Sequence, residues 1–124
     1  MTPSAPQILV VDDDPGILGA LRMLFEGEGY RVETRAKGDD VEALQDGPGP
    51  LPDVIVLDVL LSGKDGRTIC RALKAQEATR RIPVVMISAH PAAEQSAREV
   101  GADAFVAKPF AIDDMLDTVA ALLA

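Results

Sequence analysis

Three runs of this chain are continuously apolar and rich in β-branched residues: Ile8-Leu9-Val10-Val11, Val54-Ile55-Val56-Leu57 and Val84-Val85-Met86-Ile87. A strand with one face in water alternates apolar and polar residues. An unbroken run needs cover on both faces, which is the situation of a parallel strand between two helical layers. A weaker run over residues 30–34 and a fifth, Ala104-Phe105-Val106-Ala107, complete a set of five.

Five helix-like segments alternate with these runs. In the first, Ile17, Leu18, Leu21, Leu24 and Phe25 share one face; in the last, Ile112, Met115, Leu116, Val119, Leu122 and Leu123 do the same. Pro15 and Pro91 suit a first helical turn. Gly27, Gly29, Gly47 and Gly101 fall where helices should stop. Gly47-Pro48-Gly49-Pro50-Leu51-Pro52 can be neither helix nor central strand, so it reads as a loop. Strict βα alternation predicts an α/β fold, a doubly wound five-stranded parallel sheet with five helices. The pattern alone does not determine strand order. In either common order, ligands gather at the carboxyl ends of the strands.

At 124 residues the chain is one domain in size. Residues 1–6 read as a disordered lead-in and residues 7–124 as the domain. The lead-in has neither basic start nor apolar core, so it is no signal peptide. No stretch is long and apolar enough to span a membrane. One cysteine, Cys70, precludes an internal disulfide and suits a cytoplasmic setting; it is expected inside the third helix. A net charge of −8 argues against direct binding of nucleic acid or an anionic membrane. Arg80-Arg81 reads as a solvated turn. Asp39-Asp40 suits a helix start.

The strand ends carry the chemistry. The first run ends in Asp12-Asp13-Asp14, the third in Asp58, the fourth in Ser88 and the fifth in Lys108-Pro109. In a parallel sheet these ends share one edge. Two ionised carboxylates ~4 Å apart at an effective dielectric of ~20 repel by about 4 kcal/mol. One acid must therefore be protonated, or a cation must be present. A hard divalent ion with oxygen ligands, such as Mg²⁺, answers this. Asp14, next to Pro15, is expected to cap the first helix instead.

Four segments carry a family resemblance. They are Ile8-Leu9-Val10-Val11-Asp12-Asp13-Asp14-Pro15, Pro52-Asp53-Val54-Ile55-Val56-Leu57-Asp58, Ile82-Pro83-Val84-Val85-Met86-Ile87-Ser88-Ala89 and Gly101-Ala102-Asp103-Ala104-Phe105-Val106-Ala107-Lys108-Pro109-Phe110. Together, and in this order, they resemble the receiver domain of two-component response regulators, the family of the chemotaxis response regulator. The resemblance covers the chain from about Gln7 onward. It implies a flavodoxin-like strand order of 2-1-3-4-5.

It also implies roles. Asp58 would accept a phosphoryl group from a sensor histidine kinase or phosphotransfer protein. Asp12, Asp13, Asp58 and the backbone carbonyl of Leu60 would hold Mg²⁺. Lys108 would pair with Asp58 and then with a phosphoryl oxygen. Ser88 would donate to another such oxygen, and Phe105 would rotate into the space vacated. Leu60 and His90 would tune the approach of water to the acyl phosphate. A cis Lys108–Pro109 bond is implied too. The chain would be a phosphoacceptor assisting its own phosphorylation and dephosphorylation, not an enzyme in the usual sense. It would switch a surface for an output partner, with no output domain in this chain. Two positions depart from the family: Ser62 stands where proline is usual, and Lys64 replaces a common methionine.

Other readings are weaker. Asp12-x-Asp14 loosely resembles the haloacid dehalogenase nucleophile and acid, but that would leave Asp58 without a task. No Gly-x-Gly-x-x-Gly or Walker loop supports a nucleotide or flavin module. A receiver that has lost phosphorylation would not keep all five site residues. The fifth helix carries Asp113, Asp114 and Asp117 with no Lys or Arg beyond Lys108, which disfavours the charge-paired dimer of winged-helix regulators.

Overall fold

The computed structural model describes residues 5–39, 41–47 and 49–124. The chain runs β1 (Gln7–Val11), α1 (Pro15–Gly27), β2 (Arg31–Arg35), a 3-10 helix η1 (Val41–Asp46), β3 (Val54–Asp58), β4 (Leu60–Leu61), β5 (Lys64–Asp65), α2 (Gly66–Ala75), β6 (Val84–Ser88), α3 (Ala93–Glu99), β7 (Ala104–Ala107) and α4 (Ile112–Leu123). Five strands form a parallel sheet in the order β2-β1-β3-β6-β7. This is the expected 2-1-3-4-5 order, once the two-residue strands β4 and β5 are set aside as a separate antiparallel ribbon.

The unbroken apolar runs have their reason in two cores. Leu9, Val11, Ile55, Leu57, Val84 and Met86 face η1, α2 and α3, where Val41, Ile69, Cys70, Leu73, Ala93 and Ala97 meet them. Ile8, Val10, Val54, Val56, Val85 and Ile87 face α1 and α4, against Leu21, Phe25, Met115 and Val119. Alternate residues of each central strand thus enter opposite layers. Full burial of each such side chain is worth roughly 1.5–3 kcal/mol.

Asp14 caps α1, its carboxylate accepting from Gly16 N at 2.8 Å and Ile17 N at 3.4 Å. Pro15 opens the helix. Gly29 and Gly101 follow α1 and α3 with φ of +89° and +98°. Pro91 lies two residues ahead of α3, in a turn whose carbonyls accept from the first helical N–H groups: Ala93 N donates to the His90 carbonyl and Glu94 N to that of Pro91. The second helical segment is a 3-10 helix kinked at Ala43, not an α-helix. Only six residues lie in it before the Gly-Pro-rich loop, and among them Val41 alone is buried, so little packing rewards a full α-turn.

Cys70 is buried in α2, where burial pushes its thiol up to about 11. Arg80 and Arg81 are exposed in the turn before β6. Of the lead-in, residues 1–4 lie outside the described residues. The Ala5 and Pro6 carbonyls accept from Arg31, through Nε at 3.0 Å and N at 2.9 Å. Asp40 and Pro48 also lie outside the described residues. No described helix is long and apolar enough to cross a membrane.

Candidate functional site

The register of the sheet brings the chemical residues together. Val11 pairs with Leu57, Asp58 with Ile87, and Ser88 with Ala107. Asp12, Asp58, Ser88 and Lys108 therefore stand at or one residue past the carboxyl ends of four neighbouring strands. Lys108 is tied in by its N–H, which donates to the Ser88 carbonyl at 2.8 Å. The Lys108–Pro109 peptide is cis.

Lys108 Nζ donates to Asp12 Oδ2 at 2.9 Å and to Asp58 Oδ2 at 3.0 Å. Asp12 is fully buried and Asp58 nearly so. The second oxygen of each acid takes a backbone N–H two residues on: Asp14 N at 2.9 Å for Asp12, Leu60 N at 3.1 Å for Asp58. Burial raises the Asp12 carboxyl above the ordinary carboxylate range, against the opposing pull of the Asp14 N–H and of Lys108. Burial also acts to lower the Lys108 ammonium, but its two carboxylate partners outweigh that and hold it above the ordinary lysine range.

Asp13 is exposed, and its Oδ2 accepts from Ser62 Oγ at 2.6 Å. That hydroxyl is the main reason its carboxyl lies below the usual range. Asp12, Asp13 and Asp58 each offer a carboxylate oxygen, and the three atoms lie within 4.8 Å of one another. Three hard oxygen donors at this separation, two of them already sharing an ammonium, suit a small divalent cation.

Ser88 is buried, and its Oγ accepts from His90 N at 3.0 Å. The His90 side chain is exposed. Leu60 is 54% exposed beside the site. Phe105 is half-buried on the edge strand β7 and packs on the η1–α2–α3 core. Leu60, Ser88 and His90 line one hollow of about 240 Å³ together with Arg67. Gly66 closes the floor behind Asp58. A Cβ there would stand 2.0 Å from the Asp58 carbonyl oxygen, so no larger residue fits without moving the backbone.

Two residues near the site did not stand out for their contacts in the sequence. Ser62 reaches Asp13 across 49 positions. Arg67 folds back on Asp65 at 2.7 Å and donates through Nη1 to Ser96 Oγ at 3.0 Å, bridging α2 and α3. An acid two residues ahead of an arginine at a helix start is the one sequence signal for the latter.

Comparison with known proteins agrees with this geometry. Residues 8–120 match the response regulator receiver domain family. The chain is 36% identical over 121 residues to the phosphate regulon transcriptional regulatory protein PhoB of Rhizobium meliloti (strain 1021), covering 95% of this chain and 52% of that protein. The chain spans about half the length of the curated relatives it matches. Among solved structures, the receiver domain of a signal transduction histidine kinase from Syntrophus aciditrophicus superposes with a TM-score of 0.84 at 34% identity, covering 96% of this chain and 90% of that one. The receiver domain of a sensor histidine kinase from Pseudomonas aeruginosa PAO1, solved with a magnesium ion coordinated in its active site cleft, gives 0.82 at 25% identity, over 96% and 98% of the two chains.

Proposed function

The chain belongs to the response regulator receiver domain family of two-component systems, and on that premise we propose that Asp58 is its phosphoacceptor. One observation carries this reading: a nearly buried carboxylate at a strand end, sharing a single ammonium with a second buried acid. A purely structural pair would need one acid, not two.

The donor is a phosphohistidine on a sensor kinase or phosphotransfer protein. An oxygen of Asp58 attacks phosphorus in line, the P–N bond breaks and the imidazole leaves. No general base is required, because an ionised Asp58 has no proton to lose. Lys108 then passes from the Asp58 carboxylate to an oxygen of the bound phosphoryl group, so its charge follows the charge being transferred. Ser88 gives up the His90 N–H as its partner and donates to another phosphoryl oxygen. Phe105 turns into the space this frees, and the β6–α3 and β7 surface changes for an output partner. Asp12, Asp13, Asp58 and the Leu60 carbonyl would hold Mg²⁺, which when bound would supply positive charge at the phosphoryl group. The chain thereby acts as a phosphoacceptor and switch in the cytoplasm, without touching nucleic acid or membrane itself.

The test is incubation with a small phosphodonor and Mg²⁺, read by intact mass. The parent should gain one phosphoryl group and Asp58→Asn none. A parent that stays unmodified, or a variant that is modified as fully, ends this reading. Followed over time, the same measurement reports the lifetime of the acyl phosphate. The exposed apolar Leu60 side chain beside Asp58 hinders the attacking water, so Leu60→Asn should speed the decay several-fold. An unchanged decay rate removes Leu60 from that role.

A further inference from the structure

The two positions that depart from the family pattern, Ser62 and Lys64, lie in the β4–β5 ribbon, and each makes a polar contact with a segment distant in sequence. Lys64 Nζ lies 2.5 Å from Glu42 Oε1 on η1. Ser62 Oγ donates to Asp13 Oδ2 on the opposite side of the site. The ribbon that presents Ser62 is held at several points. Leu60 pairs with Asp65 and Leu61 with Lys64. Leu61 is buried in the core, and Gly66 N donates to the Val59 carbonyl at 2.7 Å just behind the turn. The turn itself is Ser62-Gly63, closed by Gly63 at a φ of +72°. The Ser62 hydroxyl therefore reaches Asp13 from a fixed platform, unlike a serine on a free loop.

Asp13 needs such a partner more than its neighbours do. Asp12 and Asp58 are buried and fastened by Lys108 and by backbone N–H groups. Asp13 is exposed, and in the absence of Ser62 its carboxylate would be free to rotate into water. We propose that Ser62 is a positioning residue for the cation site: by holding Asp13 Oδ2 it fixes the rotation of that carboxylate, so that an Asp13 oxygen stays within 4.8 Å of those on Asp12 and Asp58 before the ion arrives. This rests on the cation site described above and adds to it a residue outside the ligand set. A proline at this place could not do the same, having no hydroxyl. Partners of this kind set the orientation of metal ligands, and their loss weakens metal binding.

The experiment is calorimetric titration of the full chain with Mg²⁺ alone, comparing parent, Ser62→Ala and Ser62→Thr. Melting curves in chelator show whether each variant is folded. Ser62→Ala should raise the Kd for Mg²⁺ about tenfold, the low end for outer partners of metal ligands because Asp13 is exposed. Ser62→Thr, which keeps the hydroxyl, should stay near the parent. Three results overturn the proposal. If Ser62→Ala binds like the parent, the hydroxyl orients nothing. If it binds more tightly, the hydroxyl is a competitor of the ion. If alanine and threonine weaken binding alike, the effect lies in the shape of the turn. A parent that binds no Mg²⁺ defeats the cation site itself, which is a different failure from a parent that binds while Ser62 proves irrelevant.

Discussion

The two edges of the sheet use the same residue types to different ends. At the amino edge, Asp53 stands one residue before β3 and accepts from the N–H of Gln7, the first residue of β1, at 2.8 Å. Asp103 stands one residue before β7 and accepts from the N–H of Val84, the first residue of β6, at 2.8 Å. It also pairs with Lys74 Nζ at 2.8 Å. At the carboxyl edge, Asp12 and Asp58 have no strand-start N–H to serve. The difference follows from the direction of the peptide. Strand starts present N–H donors, which carboxylates satisfy and by which they are consumed. Strand ends present carbonyls, which carboxylates cannot bond. Acids gathered at strand ends are thus left facing one another: local N–H groups of Asp14 and Leu60 take one oxygen each of Asp12 and Asp58, and the other oxygens of this buried pair meet the Lys108 ammonium. Charge at one edge is used up in structure; at the other it remains available for chemistry.

The largest effect should come from Lys108→Met. Without the ammonium, Asp12 and Asp58 are left buried and unpaired, and the metal-free protein should lose about 3 kcal/mol. Denaturant unfolding in chelator measures this, and the loss should shrink on acidification as Asp12, whose carboxyl burial raises, takes up its proton. A variant as stable as the parent would break the comparison, since the carboxyl edge would then carry no uncompensated charge.

Asp103→Ala tests the other edge. It removes one acceptor from Val84 N and the ion pair of Lys74, while Lys74 keeps the Ile82 carbonyl at 2.9 Å. The expected cost is about 1 kcal/mol, with phosphoryl uptake at Asp58 unchanged. Loss of uptake in a variant that remains folded would show that the two edges are not separable.

The smallest effect is a gain. Burial raises Asp12, so the folded protein binds that proton more readily than the unfolded chain, whose value is 3.8. Stability contributed by this group therefore falls as pH rises from 3.8 through its raised folded value, and the full cost is present at neutral pH. Asp12→Asn removes the cost. In chelator at pH 7 it should melt about 2–4 °C higher than the parent, and the gap should close as pH falls toward 3.8. A gap that persists in acid would trace the gain to packing instead of charge.

Much of the site was legible because four of its residues close or directly follow a recognisable run. Asp12 follows Ile8 to Val11, Asp58 closes Val54 to Leu57, Ser88 closes Val84 to Ile87, and Lys108 follows Ala104 to Ala107. A parallel strand covered on both faces writes an unbroken apolar word, and its last letter is a position in space as well as in sequence. The cap at Asp14 was legible for a similar reason, since an acid before a proline has a local partner. The 3-10 form of η1 was not legible, because helical spacing over six residues does not separate one kind of turn from another. The ribbon of β4 and β5 was invisible, as two residues per strand carry no period.

By itself, the sequence determined the layered α/β class, the strand segments and which side chains end them, since burial on one or two faces leaves a pattern that local physics reads directly. Strand order was carried by family resemblance, because periodicity says which face is buried and not which strand lies beside it. The resemblance implied that Lys108 pairs with Asp58; only the tertiary structure decided that the same ammonium also holds Asp12, and that Ser62 sits on Asp13. Those partners lie 96, 50 and 49 positions apart. Chain separations of that size carry no local energetic signature. They are chosen when the packed sheet brings strand ends and ribbon within hydrogen-bond reach.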